Sequence, residues 1–319
     1  MSPVTRSLSL TLSLLTASAL LAGCGQSGGD SSGNGRQAVA AFYPLAWVTG
    51  RVAGDGWTVD NLTQPGQEPH DLSLDIKQTA EVESADLVVL EEGFQPAVDA
   101  AAENTDADVL DVTSVIDLMP ADHSEESHEG ETEEEHAEHA EDGHDHGDVD
   151  PHFWLDPLLV ADFADSVAGE LSDIDPDNAT TYADNASSLR TDLEQLDQEY
   201  TDGLASCTRT TTVVSHDAFS YMSRYGLDFE PIAGLSPESE PTAADLARLQ
   251  ELIDADGVTT VFSERLVSPK MAETLAGDMG ITSAVLDPIE GLSDDTAGED
   301  YLSIMRENLA ALQKANDCS

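Results

Sequence analysis

The sequence predicts an α/β protein made of two parallel-sheet lobes joined by a long rigid helix. Three observations predict it. Apolar strand-like runs alternate with amphipathic stretches from residue 36 to about 170, and the same rhythm restarts after residue 208. Between them lies one long apolar stripe free of proline, and of glycine until Gly203. Strands that alternate with helices through short loops build parallel sheets. The 319 residues suffice for two ordinary domains, and 40% apolar content fits a globular chain.

In the first half, Val39 to Phe42 is a short buried-strand candidate, and Tyr43-Pro44 opens a helical pattern through Trp47, Val48 and Val52. Trp57 to Leu62 alternates like a second strand and runs into a loop, Gln64-Pro65-Gly66-Gln67-Glu68-Pro69-His70-Asp71. A helix from about Leu74 to Val82 precedes Asp86 to Leu90, whose apolar run suits a central parallel strand. Another helix, near Gln95 to Ala102, leads to a strand at Asp108 to Val112. Ligand-binding loops in such folds lie beyond the carboxyl ends of strands, where His70 falls.

A helix from about Leu158 to Leu171 carries Val160, Phe163 and Val167 on one face. Asp175-Pro176 then reads as an N-cap followed by proline at the first helical position. Tyr182, Leu189, Leu193, Leu196, Tyr200 and Leu204 recur at helical spacing and form one stripe. The resulting helix would span roughly 40 Å and act as a stiff strut. Too few heptads are present to favour a coiled coil.

In the second half, Thr210 to Val214 is a β-branched strand ending at Ser215-His216-Asp217, followed by a helix through Phe219, Met222 and Tyr225. Leu227 to Ile232 is a short strand, and Thr242 caps a helix carrying Leu246, Leu249, Leu252 and Ile253. Val258 to Phe262 is a strand ending at Ser263-Glu264-Arg265. A helix around Pro269 to Ala276 precedes the strand Ile281 to Leu286, and a last helix covers about Glu299 to Ala315. His216, Glu264 and Asp287 therefore all sit at or just beyond carboxyl ends of predicted strands.

At the N-terminus, Arg6 leads a short apolar stretch, Leu8 to Leu21, that ends in Leu21-Ala22-Gly23-Cys24. It is too short for a secure membrane span and reads as a secretory signal. The last four residues resemble a bacterial lipobox, which implies cleavage before Cys24 and lipidation of its sulfur. The expected organisation is a signal over 1–23, a flexible tether over 24–36, a lobe over 37–173, the linker helix over 174–206 and a second lobe over 207–319. In an oxidising compartment the other two cysteines, Cys207 and Cys318, suggest one disulfide, with two buried thiols as the alternative. The formal charge of −52 makes nucleic acid an improbable partner. It suits a cation ligand, or equally a surface adapted to a salty medium.

Seven of the nine histidines lie between Asp122 and His152, among fourteen Asp and Glu. His123, His128, His136, His139, His144 and His146 occupy a run with no hydrophobic period, read as a disordered loop over 121–149. Such His tracts bind transition metals weakly and collectively. His152 closes the run in an ordered setting, Asp-Pro-His-Phe-Trp-Leu-Asp-Pro. With His70, stiffened by Pro69, and His216 it forms the candidate metal-ligating set.

Glu68-Pro69-His70-Asp71, Asp150 to Pro157, Ser215 to Phe219, Gly234 to Glu238 with Glu240-Pro241, and Leu286-Asp287-Pro288 together resemble the zinc and manganese solute-binding lipoproteins of bacterial ABC importers. The resemblance covers the whole mature chain in order. It implies one metal in the cleft between the lobes, held by His70, His152 and His216 with Asp287 as fourth ligand, and Glu68 as the alternative fourth. Glu264 is read as supporting or structural. Three imidazoles and one carboxylate suit zinc better than manganese, and the His-rich loop resembles the zinc subgroup.

The function expected is therefore that of a zinc receptor, monomeric and not an enzyme. It would be exported and lipid-anchored to the outer face of the cytoplasmic membrane, and would deliver Zn2+ to the membrane permease of an ABC transporter. Manganese or ferrous iron uptake is the alternative in the same class. A secreted zinc hydrolase would need an open coordination position and a nearby base, and no HExxH helix is present. A metal-buffering surface adhesin would depend on the His-rich loop itself.

Overall fold

The computed structural model describes residues 35–121 and 149–319. The signal and tether, Cys24, and the run from His123 to His146 lie outside the described residues. Strands β1 (Arg36–Ala40), β2 (Trp57–Asn61), β3 (Leu87–Leu90) and β4 (Asp108–Asp111) form one parallel sheet in the order β2-β1-β3-β4. Strands β5 (Thr211–Val214), β6 (Asp228–Pro231), β7 (Thr260–Ser263) and β8 (Thr282–Val285) form a second in the order β6-β5-β7-β8. The two sheets are wound alike. In each, the chain reverses its direction of travel next to the first strand, the point beyond whose strand ends such sheets commonly bind ligands.

The helices of the first half are α1 (Tyr43–Ala53), α2 (Ile76–Ser84) and α3 (Pro96–Ala102). Pro44 opens α1 and Pro96 opens α3, positions where the missing N–H costs nothing. Asp75 and Gln78 form a capping box at the start of α2. In the second half, α6 (Ala243–Asp256) starts with a Thr242–Asp245 capping box, and α7 (Lys270–Met279) and α8 (Tyr301–Asn316) follow. The expected helix at Phe219 to Tyr225 is a 3-10 turn over Ser220–Tyr225, stopped by Gly226 at φ 86°. Only glycine enters that left-handed region without steric cost.

Two further helices join the sheets, α4 (Pro157–Ile174) and α5 (Ala179–Leu204). The start of α5 falls where the sequence places it, with Asp175 at the N-cap position and Pro176 at the first helical one, but the first turn is 3-10. Pro176–Asn178 form a 3-10 turn that runs directly into α5, and Asp175 does not cap it through its side chain. Asp175 Oδ2 instead accepts hydrogen bonds from Asn178 and from the Tyr182 hydroxyl at 2.7 and 2.8 Å, and pairs with Arg36 at 2.6 Å. The carboxylate thus ties the helix start to β1.

The expected long linking helix is present as α5, and it is packed along its length. Its stripe of Tyr182, Leu189, Leu193, Leu196, Tyr200 and Leu204 is buried against α1, α4 and α8. One hydrophobic cluster runs from Val39 and Val88 of the first sheet through this stripe to Val214, Met305 and Leu312 of the second half. Tyr301 donates to Trp154 O at 2.6 Å, and Trp154 Nε1 donates to Pro288 O at 2.7 Å, so buried polar groups also cross between the halves. A smaller core, around Val213, Leu249, Ile253 and Val261, belongs to the second half alone. Cys207, just past α5, is disulfide-bonded to Cys318 at the end of α8.

Candidate metal centre

The loop after β2 brings in His70. Thr63 Oγ1 donates to Ala41 O at 2.8 Å, and Gln95 Nε2 donates to Thr63 Oγ1 at 3.1 Å and to Pro69 O at 2.9 Å. These buried bonds hold the loop against the end of the first sheet. Phe94 packs edge-on to the His70 ring, centroids 4.7 Å apart.

His152 comes from the segment that leads into α4. Asp150 Oδ1 accepts both the His152 backbone N–H at 3.0 Å and the ring Nδ1–H at 2.7 Å. Asp150 is itself fixed: its N–H donates to Met119 O, and Tyr221 donates to its carbonyl at 2.9 Å. Beyond His152, Asp156 caps α4 and Pro157 starts it. His216 follows β5 by two residues. Its Nδ1–H donates to Glu264 Oε1 at 2.6 Å, and Ser215 Oγ donates to the same oxygen. In both histidines a carboxylate accepts the Nδ1–H and so turns Nε2 inward, where it donates to Glu290 in the metal-free site and offers its lone pair to an ion once that proton leaves.

The three rings meet at Glu290, in the turn after β8. Its Oε1 lies 3.4 Å from His70 Nε2, 3.2 Å from His152 Nε2 and 3.1 Å from His216 Nε2, and the last two nitrogens are 3.4 Å apart. One ligand atom from each of the four residues lies within 4.8 Å of every other. Tetrahedral bonds of about 2.0–2.1 Å to a central ion place neighbouring ligand atoms about 3.3 Å apart. Four of the six edges, at 3.1 to 3.4 Å, match that spacing, and the other two lie within 4.8 Å. The group is sealed, with side-chain-bearing residues exposed by no more than 3%.

Burial alone would raise the pKa of Glu290. His70 and His216 beside it, with hydrogen bonds from His152 and His216, hold its carboxyl well below the usual range instead. Burial lowers His70. It would lower His152 and His216 too, but Asp150 and Glu290 raise the first, and Glu264 and Glu290 raise the second well above the ordinary imidazole value. Three imidazoles around one anionic oxygen, with two more carboxyl side chains behind them, can neutralise a buried divalent cation. A cavity of about 500 Å³ opens elsewhere in the second half, lined by Ser215, Glu238, Leu246, Ser263 and Met271.

Two sequence expectations need correction. Asp287, expected as fourth ligand, is outside the cluster: its Oδ1 accepts the Ile289 N–H at 2.8 Å and its Oδ2 pairs with Arg265 Nε at 2.9 Å. Glu68 is outside it too, its Oε1 taking the His70 backbone N–H at 3.2 Å. Burial first, then the charge of Glu290, push Glu68 up to about 8. Glu290 went unnoticed in the sequence, although it lies two residues beyond the strand-ending Asp287-Pro288.

Comparison with known proteins agrees with this geometry. The chain is 34% identical over 325 residues to the zinc-binding lipoprotein AdcA of Streptococcus pneumoniae R6, covering 98% of this chain and 61% of that protein. It thus spans about three fifths of that relative's length. It is 35% identical over 305 residues to the high-affinity zinc uptake system protein ZnuA of Bacillus subtilis 168, covering 92% and 93%. Among solved structures, zinc-bound AdcA of S. pneumoniae superposes with a TM-score of 0.72 at 31% identity, over 88% of this chain and 58% of that one. The laminin-binding protein of Streptococcus agalactiae, described as an adhesin with metal-transporting activity, gives 0.75 at 28%, over 88% and 99%. Residues 38–315 match the family described as zinc-uptake complex component A, periplasmic, and the chain belongs to that family.

Proposed function

We propose that this chain is an extracytoplasmic zinc receptor that captures Zn2+ through His70, His152, His216 and Glu290 and delivers it to the permease of an ABC importer. The observation that carries this reading is the four-atom cluster, in which the three contacts to Glu290 Oε1 and the His152–His216 contact measure 3.1 to 3.4 Å and every pair lies within 4.8 Å. Three neutral nitrogens and one carboxylate oxygen at tetrahedral spacing suit zinc. Manganese prefers harder oxygen ligands and higher coordination. The four positions are all filled by side chains, which leaves no place for the activated water of a zinc hydrolase.

Zinc is cargo here, so it has to enter and leave a sealed site. The chain's residues bind it, exclude water and release protons as it enters. The shared core between the halves favours a local rearrangement of the loops around the ion over a wide hinge motion. The His-rich run starts and ends beside the site: Pro120 and Val149 pair across its base, and Tyr221 accepts the Met119 N–H. That placement supports its reading as an accessory collector feeding His152. Lipid anchoring at Cys24 on the outer face of the cytoplasmic membrane, and a monomeric state, complete the proposal. Among the described residues no helix is long and apolar enough to cross a membrane.

The test is competitive zinc titration of the protein, of a variant lacking residues 123–146, and of His216→Ala. One tight site should survive the deletion, with fewer weak equivalents. His216→Ala should weaken that site by about 100-fold or more, since breaking one ligand forfeits several kcal/mol and strands buried partners. Manganese binding tighter than zinc, or loss of the tight site on deleting the loop, refutes the reading.

A further inference from the structure

Glu290 is preceded by a residue in an unfavoured backbone conformation. Ile289 has φ 60° and is fully buried. For a β-branched residue the left-handed region is a real outlier, because its Cβ crowds the following carbonyl. Such a conformation persists only when the surroundings over-determine it.

The surroundings here do so on both sides. Before Ile289, Asp287 is clamped to α8: its N–H donates to Asn308 Oδ1 at 2.9 Å, and Asn308 Nδ2 donates to its carbonyl at 2.6 Å. Its own Oδ1 then accepts the Ile289 N–H, and Trp154 Nε1 donates to Pro288 O. After Glu290, Gly291 sits where a Cβ would lie 3.2 Å from Leu266 and 3.5 Å from Gln67 O, and Leu292 O accepts the Gly66 N–H at 2.7 Å. Both ends of the turn are fixed, the far end to the very loop that carries His70.

We propose that Asp287 and the left-handed backbone at Ile289 are positioning residues that turn Glu290 onto the three imidazoles. Relaxation of this turn withdraws Glu290 first and starts zinc release. Asp287 thereby acts through Glu290 and touches no ion. This rests on the zinc-receptor reading above.

The experiment measures zinc release to excess chelator by stopped flow, with the full chain and four variants: Asp287→Ala, Asp287→Asn, Ile289→Gly and Ile289→Ala. Asp287→Ala removes a charged acceptor from a buried N–H and should speed release about 10- to 100-fold. Asp287→Asn keeps the Oδ1 acceptor and should rescue most of that loss. A ligand carboxylate would not be rescued in this way. The two Ile289 variants lose nearly the same side-chain volume, so any folding defect is common to both. Glycine alone relieves the left-handed cost, so Ile289→Gly should release zinc about 5- to 30-fold more slowly than Ile289→Ala. If Asp287→Asn releases as fast as Asp287→Ala, or the two Ile289 variants release alike, the turn proposal fails while the receptor reading stands. If the unaltered protein holds zinc no better than His216→Ala does, the receptor reading fails and takes the turn proposal with it.

Discussion

His152 and His216 each lean on a carboxylate through Nδ1, and this sets how the site responds to acid. Burial works against their protonation, but Asp150, Glu264 and Glu290 outweigh it, so both titrate above the ordinary imidazole value of about 6.5. Groups with raised pKa stabilise the metal-free fold below about pH 6.5, and that contribution is lost as pH rises through their folded values. Zinc must displace the same protons, so its affinity moves the opposite way. His70, whose value is lowered, is already proton-free in that window. The melting-temperature difference between zinc-loaded and metal-free protein should therefore grow as pH rises above about 6.5 and shrink below it. Calorimetry across that range measures it, and a difference independent of pH would contradict the protonation scheme. The histidines were legible because each follows a strand end or a proline-stiffened loop. Glu290 was not, because an isoleucine gives no hint of a left-handed backbone. The choice between Asp287 and Glu290 is made by that one dihedral angle and by Asn308, twenty-one residues away in sequence.

The elements themselves were readable from apolar runs and from caps such as Thr242 and Pro157. Their order in the sheets was not, because parallel pairing is decided by crossover packing and has no local signature. The helical start at Asp175-Pro176 was legible in position but not in how the aspartate is used. Asp175-Pro176 is a good local start signal, yet Arg36 and Tyr182 compete for the carboxylate and win it. The long linking helix was legible too, although a single stripe of leucines and tyrosines says only that one face is buried, not how many partners share it. In the structure Trp154 and Tyr301 fasten the entry to α4 onto α8 and onto the turn after β8. Tyr301→Phe removes the donor to a buried Trp154 carbonyl and should cost about 1–3 kcal/mol. Urea unfolding of the metal-free protein should show this as a lower midpoint in a single transition with unchanged slope. Two separate transitions would show that the halves do not share a core.

For the molecule as a whole, residues 35–319 form one compact unit with two sheets. That explains how a sequence with two α/β rhythms yields one site assembled from both. The net charge of −52 gave no guidance to the site, whose acidic partners are a few buried groups among many surface ones. The bond between Cys207 and Cys318 has a mechanical consequence. The two cysteines bracket the second sheet and are 111 residues apart. A pull applied at the two ends of the chain therefore passes across the sulfur bridge and never loads β5 to β8. In optical tweezers the oxidised protein should extend without those residues, and adding reductant should release roughly 400 Å more contour. Under tension, the half that supplies His216 and Glu290 is shielded, and the half that supplies His70 and His152 gives way.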